Sequence, residues 1–179
     1  MSSRVNMKDL LGEGLFKCME EKSFEKITIK QICNKTGVIR GTFYNHFVDK
    51  YEALEYLVYS MFVDDIDKYH TEEDFVILLK QILKIIYDKQ EFFSKCFFIE
   101  GQNGFETILN NIFNSLFERI LCSNYTIDKE FICSYYANTM VFVIKDWNKH
   151  CYNKSIEEMY KISYILLLSN IKNFMEKEN

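Results

Sequence analysis

The amino-acid sequence predicts an all-α protein of about nine helices arranged in two parts, and three observations lead there. The 179 residues include no proline and only six glycines, so few positions interrupt the hydrogen-bond ladder of a long helix. Apolar residues recur at i, i+3, i+4 spacing through most of the chain, which gathers them on one face of a helix. Short breaks separate these runs at Asp88-Lys89, Gly101 to Gly104, Cys122 to Tyr125 and His150 to Lys154. With 48% apolar and 27% charged residues, the chain is ordered and long enough to bury a sizeable core.

Residues 5–22 form the first helix, with Leu10, Leu11, Leu15 and Met19 facing inward, and Phe16 and Phe24 close the small core beside it. Thr28 is placed to cap a second helix, its hydroxyl accepting from an otherwise unpaired backbone N–H. Ile29, Ile32 and Cys33 line that helix's inner face. Gly37 ends it, because glycine tolerates the left-handed position past a helix C-terminus. A third helix starts at about Ile39, buries Phe43 and Phe47 four residues apart, and turns Arg40, Thr42, Tyr44, Asn45 and His46 outward. Two helices joined by a short glycine turn, the second polar outside, make the helix-turn-helix pattern. A fourth helix runs from Asp49 to about Asp67 with Leu54, Leu57, Val58, Met61 and Phe62 along one side, and so leaves the first part for the second. The chain therefore divides into an N-terminal three-helix helix-turn-helix DNA-binding domain, residues 1–48, and a C-terminal helical domain, residues 49–179.

The second domain opens near Thr71, where T-E-E-D has the form of a capping box with acidic residues in the first turn. Helices follow at about 71–88, 90–100, 104–122, 128–149 and 155–176. The last is apolar nearly all round its middle, so it needs partners on two sides. Its own domain supplies one; a second subunit in a two-fold four-helix interface, or full burial inside a monomer, supplies the other. The interface set is Phe131, Tyr135, Ile162, Ile165, Leu166 and Leu168, with Leu167 as the position where Asp is expected to give monomers.

A major groove admits one helix, whose outer face must meet base edges and phosphates. Arg40 can pair with a guanine edge or a phosphate, and Thr42 can offer a methyl or hydroxyl to a base. Tyr44 and His46 suit phosphate contacts, which fix register. Lys50, opening the next helix, is a further phosphate candidate. The positions expected against double-stranded DNA are Thr28, Lys30, Ile39, Arg40, Gly41, Thr42, Tyr44, Asn45, His46 and Lys50. The net charge of −4 divides accordingly: residues 1–50 hold nine Lys/Arg against six Asp/Glu, and residues 51–179 hold thirteen against twenty. A basic head on an acidic body presents one face to a polyanion and repels it elsewhere.

The motifs TIKQIC, the KTGV turn, GTFYNHF and the DKYEAL opening of the fourth helix resemble the DNA-binding segment of the TetR/AcrR family of bacterial one-component transcription regulators. The resemblance covers roughly residues 5–60. One position departs: the family usually has Ser or Thr where this chain has Ile39, which removes the polar cap and sets an apolar side chain where it can meet a thymine methyl. The GQNG break and its following F-x-x-x-L helix are similar to a subgroup that includes regulators linked to dihydroxyacetone kinase operons. The resemblance implies a homodimer on a near-palindromic operator and a C-terminal domain that serves effector binding and dimerisation. It also implies a repressor released by a small, largely apolar effector, although the family includes activators. Residues that could line an effector cavity are Phe62, Phe75, Phe93, Phe97, Phe105, Phe113, Tyr136 and Trp147, with Phe92, Phe98 and Phe117 beside them; at helical spacing the same residues equally make a packed core.

The sequence offers no nucleophile elbow, no phosphate-binding glycine loop and no metal spacing among its three histidines, so no enzyme, cofactor or metal site is expected. The six cysteines, without a C-x-x-C pair, read as buried thiols. No apolar run reaches 18 residues and the N-terminal MSSRVNMKD has no signal-peptide core, so a cytoplasmic protein without membrane association is expected. The alternative is a helical interaction protein that dimerises without reading DNA.

Overall fold

The computed structural model describes residues 6–62, 72–101, 104–120 and 128–168. Within them are nine α-helices and no strand: α1 Met7–Glu21, α2 Ile29–Thr36, α3 Arg40–Tyr44, α4 Lys50–Phe62, α5 Glu72–Asp88, α6 Gln90–Cys96, α7 Phe105–Ile120, α8 Lys129–Lys149 and α9 Ile156–Ser163. A 3₁₀ turn at Phe24–Lys26 precedes α2, and a wider π turn at Tyr164–Leu168 follows α9. The expected run of α4 to Asp67, the capping box at Thr71, the break at Cys122 to Tyr125 and the end of the last helix lie outside the described residues. The sixth helix is shorter than expected, because Ile99 N–H turns back to the Cys96 carbonyl.

Side-chain caps set where several helices begin. Asn6, Thr28, Asp128 and Ser155 each accept from a backbone N–H at the start of α1, α2, α8 and α9. At α2 the bonding is reciprocal, with Gln31 N donating to Thr28 Oγ1 (3.3 Å) and Thr28 N to Gln31 Oε1 (2.9 Å). Asp49 takes the same role before α4, accepting from Tyr51 N and Glu52 N at 2.8 and 2.9 Å. Such caps satisfy donors that a helix cannot satisfy itself.

The N-terminal domain's α1 lies against α2 and also against α4 of the second domain, burying Leu11, Leu15, Cys18 and Met19 with Phe24, Ile32, Phe43 and Phe47. The approach of α1 to α2 needs a glycine. A Cβ on Gly14 would stand 2.3 Å from Thr36 Cγ2 and 3.3 Å from the Ile32 carbonyl oxygen. Thr36 cannot easily turn away, since its hydroxyl donates to the Ile32 and Cys33 carbonyls at 3.1 and 3.2 Å. Gly14→Ala is therefore expected to lower stability by about 1–3 kcal/mol in urea titration. Adding Thr36→Ser, which removes only the methyl, should restore most of it; no recovery would mean that backbone contact sets the limit instead. Tyr56 ties α4 to α1 from the other side, donating to Asp9 Oδ1 at 2.6 Å and accepting from Asn6 Nδ2 at 3.2 Å. Burial, and then the Asp9 carboxylate, push its phenol up to about 12.

In the second domain α7 lies along α8 and α5 packs on α9. Its interior is largely aromatic. Phe62, the last described residue of α4, stacks on Phe93 and Phe113 at 5.8 and 6.2 Å between ring centres. Phe105 meets Phe93 and Phe97, Tyr136 meets Phe117, and Trp147 stacks on Tyr87 while its indole N–H donates to the Lys154 carbonyl. Such ring pairs add to plain area burial.

The two domains also meet where α6 reaches α1. Phe92 packs on Phe16 at 5.0 Å. Beside it the Lys95 ammonium donates to the Met19 and Glu20 carbonyls at 2.7 and 3.0 Å, capping the negative end of α1. No helix among the described residues is long and apolar enough to cross a membrane.

Candidate nucleic-acid interface

The segment after Gly37 builds an exposed face on a buried base. Gly37 takes φ 72°, the left-handed conformation its Cβ-free backbone permits, and α3 starts three residues later. Beneath α3, Phe43 and Phe47 are buried with ring centres 5.7 Å apart, and Phe47 rests on Tyr56 at 5.6 Å. Above it, Ile39, Arg40, Gly41, Tyr44 and Asn45 are exposed, and Thr42 and His46 are half-buried. The Arg40 guanidinium donates to the Tyr44 hydroxyl at 3.3 Å and sits 5.9 Å from its ring. That contact holds two groups able to meet phosphate or a base edge on one side of α3. Thr28 and Lys30, at the start of α2, are exposed on the same head, but the Thr28 hydroxyl is already the helix cap.

Lys50 is placed differently from the sequence expectation. Its ammonium donates to the carbonyls of Phe24, Glu25 and Ile27 at 2.8, 3.1 and 3.1 Å and lies 4.5 Å from the Phe24 ring. An ammonium has three donors, so none is left for a phosphate. Burial lowers its pKa, with Glu25 and Asp49 opposing. Lys50 pins α4 to the 3₁₀ turn and is removed from the contact set. An exposed apolar residue of this head lies outside the expected set: Val48, 80% exposed. Its position between buried Phe47 and the capping Asp49 was the available signal.

The effector candidates come together as a packed set. Phe62, Phe93, Phe105, Phe113, Tyr136 and Trp147 are all buried, and Phe97 is half-buried; the Phe75 side chain lies outside the described residues. Phe98 points to solvent, 80% exposed, because the chain turns at the end of α6. Open clefts of about 390 and 500 Å³ lie instead at the joint between domains, sharing Phe16, Glu20 and Lys89.

The proposed interface residues separate into two groups. Phe131, Tyr135, Ile165 and Leu166 are exposed, whereas Ile162 packs against the chain's own core; the Leu168 side chain lies outside the described residues. Leu167 is fully buried, so Asp there would attack the fold rather than an interface, contrary to expectation. On α8 the exposed stripe also holds Asn138 and Phe142. The 131, 135, 138, 142 spacing alternates four and three, a seam pattern legible in the sequence and overlooked. Asn138 is oriented by Asn110 Nδ2, which donates to its Oδ1 at 2.8 Å. Of the cysteines described, Cys18, Cys33, Cys96 and Cys133 are buried, while Cys151 is exposed, a departure from the expectation of six buried thiols.

Comparison with known proteins agrees with this layout. The model for bacterial regulatory proteins of the tetR family matches residues 13–57, and a transcriptional regulator C-terminal region model matches residues 73–169. The chain is 23% identical to the HTH-type dhaKLM operon transcriptional activator DhaS of Lactococcus lactis subsp. lactis (strain IL1403), over 97% of this chain and 95% of that one. A solved dihydroxyacetone kinase operon activator DhaS superposes with a TM-score of 0.67 at 21% identity, covering 96% of this chain and 99% of that one. The Thermus thermophilus repressor FadR in complex with lauroyl-CoA gives a TM-score of 0.62 at 14% identity, covering 96% and 97%.

Proposed function

The chain belongs to the TetR family of bacterial transcription regulators, and from that premise we propose that it works as a homodimer whose two α3 helices enter successive major grooves of a near-palindromic operator. The observation that carries this is the exposed Arg40–Tyr44 pair held on α3 by buried Phe43 and Phe47. Ile39, Arg40, Gly41, Thr42, Tyr44, Asn45 and His46 form the groove face, with Thr28 and Lys30 beside the backbone. Two such faces roughly 34–36 Å apart match one helical turn of DNA, and the modest basic excess of each head makes a pair necessary at physiological salt.

Selection of bound duplexes from a random pool tests this reading. Arg40→Ala should weaken binding to the selected duplex by about 1–3 kcal/mol and leave thermal stability within about 0.5 kcal/mol. An interaction protein that does not read DNA would enrich no duplex and show no salt dependence.

A small apolar effector fits this design if it parts Phe62 from Phe93 and Phe113, because Phe62 ends the described part of α4 and α4 also packs on α1. Such coupling typically amounts to about 1–3 kcal/mol. In the repressor reading, effector binding releases the operator. Activation at the same site is the second reading, favoured by the likeness to the activator DhaS along nearly the whole chain. A reporter carrying the selected duplex separates them: the repressor lowers its output, the activator raises it.

A further inference from the structure

α3 begins without a side-chain cap, as α6 does at Lys89. Ile39 holds the N-cap position with an extended backbone, φ −86° and ψ 157°, and its side chain makes no capping hydrogen bond. At α1, α2, α8 and α9 the same position carries Asn6, Thr28, Asp128 and Ser155, each bonded to a helix N–H. Ile39 is instead 75% exposed. Its branched side chain is stiff, and the position of a Cβ on neighbouring Gly41 meets nothing within 4 Å except Ile39 Cδ1, at 3.9 Å. The isoleucine therefore stands as an apolar step beside bare backbone, next to Arg40. Departures from local preference concentrate at functional sites. In a major groove the apolar group a base edge offers is the C5 methyl of thymine, and residues at the N-terminal end of a recognition helix are the ones that reach base edges.

We infer that Ile39 is a specificity-determining residue that reads a thymine methyl in each half-site. The inference rests on the DNA-reading proposed above and adds which base the uncapped end of α3 selects. Thr42, half-buried on the same helix, also carries a methyl, so the test must separate the two.

The experiment uses the duplex selected by the full-length protein, with each thymine replaced in turn by uracil, which removes the methyl alone. Wild-type protein should bind about fivefold more weakly when the thymine facing Ile39 is changed in one half-site. Ile39→Ser should bind that uracil duplex and its thymine parent equally. Because Ser supplies the missing cap, the variant should melt no lower than wild type, and Ile39→Ala serves as a second variant with the same expected loss of discrimination. Three results overturn the inference: half-sites without thymine, uracil tolerated everywhere, or full discrimination kept by both variants, which would hand the methyl to another side chain. A pool that enriches no duplex removes the DNA-reading itself, a distinct failure.

Discussion

Glutamate at Phe131 and Phe142 together is expected to leave a well-folded monomer. Both side chains are exposed on α8, at 68% and 65%, so the isolated protomer loses little packing when they change. In a two-fold pairing through this stripe, each copy would press two carboxylates into a face whose anchors are aromatic. Central apolar anchors carry most of an interface's energy, and two unpaired charges per copy should weaken association by about 4 kcal/mol or more. Sedimentation equilibrium should show the change, and far-ultraviolet circular dichroism should show helicity preserved. Leu167→Asp is the contrasting variant. With that side chain fully enclosed by its own domain, a charge there should lower stability by about 3–5 kcal/mol and reduce helicity, not merely split a dimer. A stable dimer surviving both glutamates would place the contact elsewhere.

Phe43→Ala is expected to abolish DNA binding by dissolving α3 rather than by removing a contact. A five-residue helix has no stability of its own. It persists because Phe43 is enclosed against Phe47, with Tyr44 packed edge-on at 5.7 Å. Truncating a fully buried phenylalanine lowers stability by about 3–5 kcal/mol. Denaturant titration should report that loss, and amide exchange around residues 39–47 should accelerate. Arg40→Ala provides the comparison, since it should alter binding without altering exchange. Undisturbed exchange in Phe43→Ala would mean that α3 is held by something other than its underside.

The two-helix unit was legible in the sequence because its signals are local. Thr28, Gly37, and the four-residue step from Phe43 to Phe47 each act within one turn of chain. The place of Lys50 is not legible in the sequence because its destination is not local: the carbonyls it meets belong to residues 23 to 26 positions earlier. A cation at a helix start looks the same in sequence whether it faces a phosphate or a folded-back turn. The segment from Tyr164 to Leu168 shows the complementary difficulty. Ile165, Leu166 and Leu167 are equivalent as hydrophobes, and only tertiary packing decides that Leu167 is enclosed while its two neighbours face out. Phe97 and Phe98 part company for the same reason, where α6 stops.

The bond from Lys95 to Met19 and Glu20 means that α1 borrows its finishing cap from the other domain. Withdrawing α6 would therefore strip two terminal carbonyls of their partner and let the last turn of α1 fray. A message travelling by this route would arrive as partial melting of a helix end, graded by how far α6 has retreated, rather than as the swing of an unbending lever.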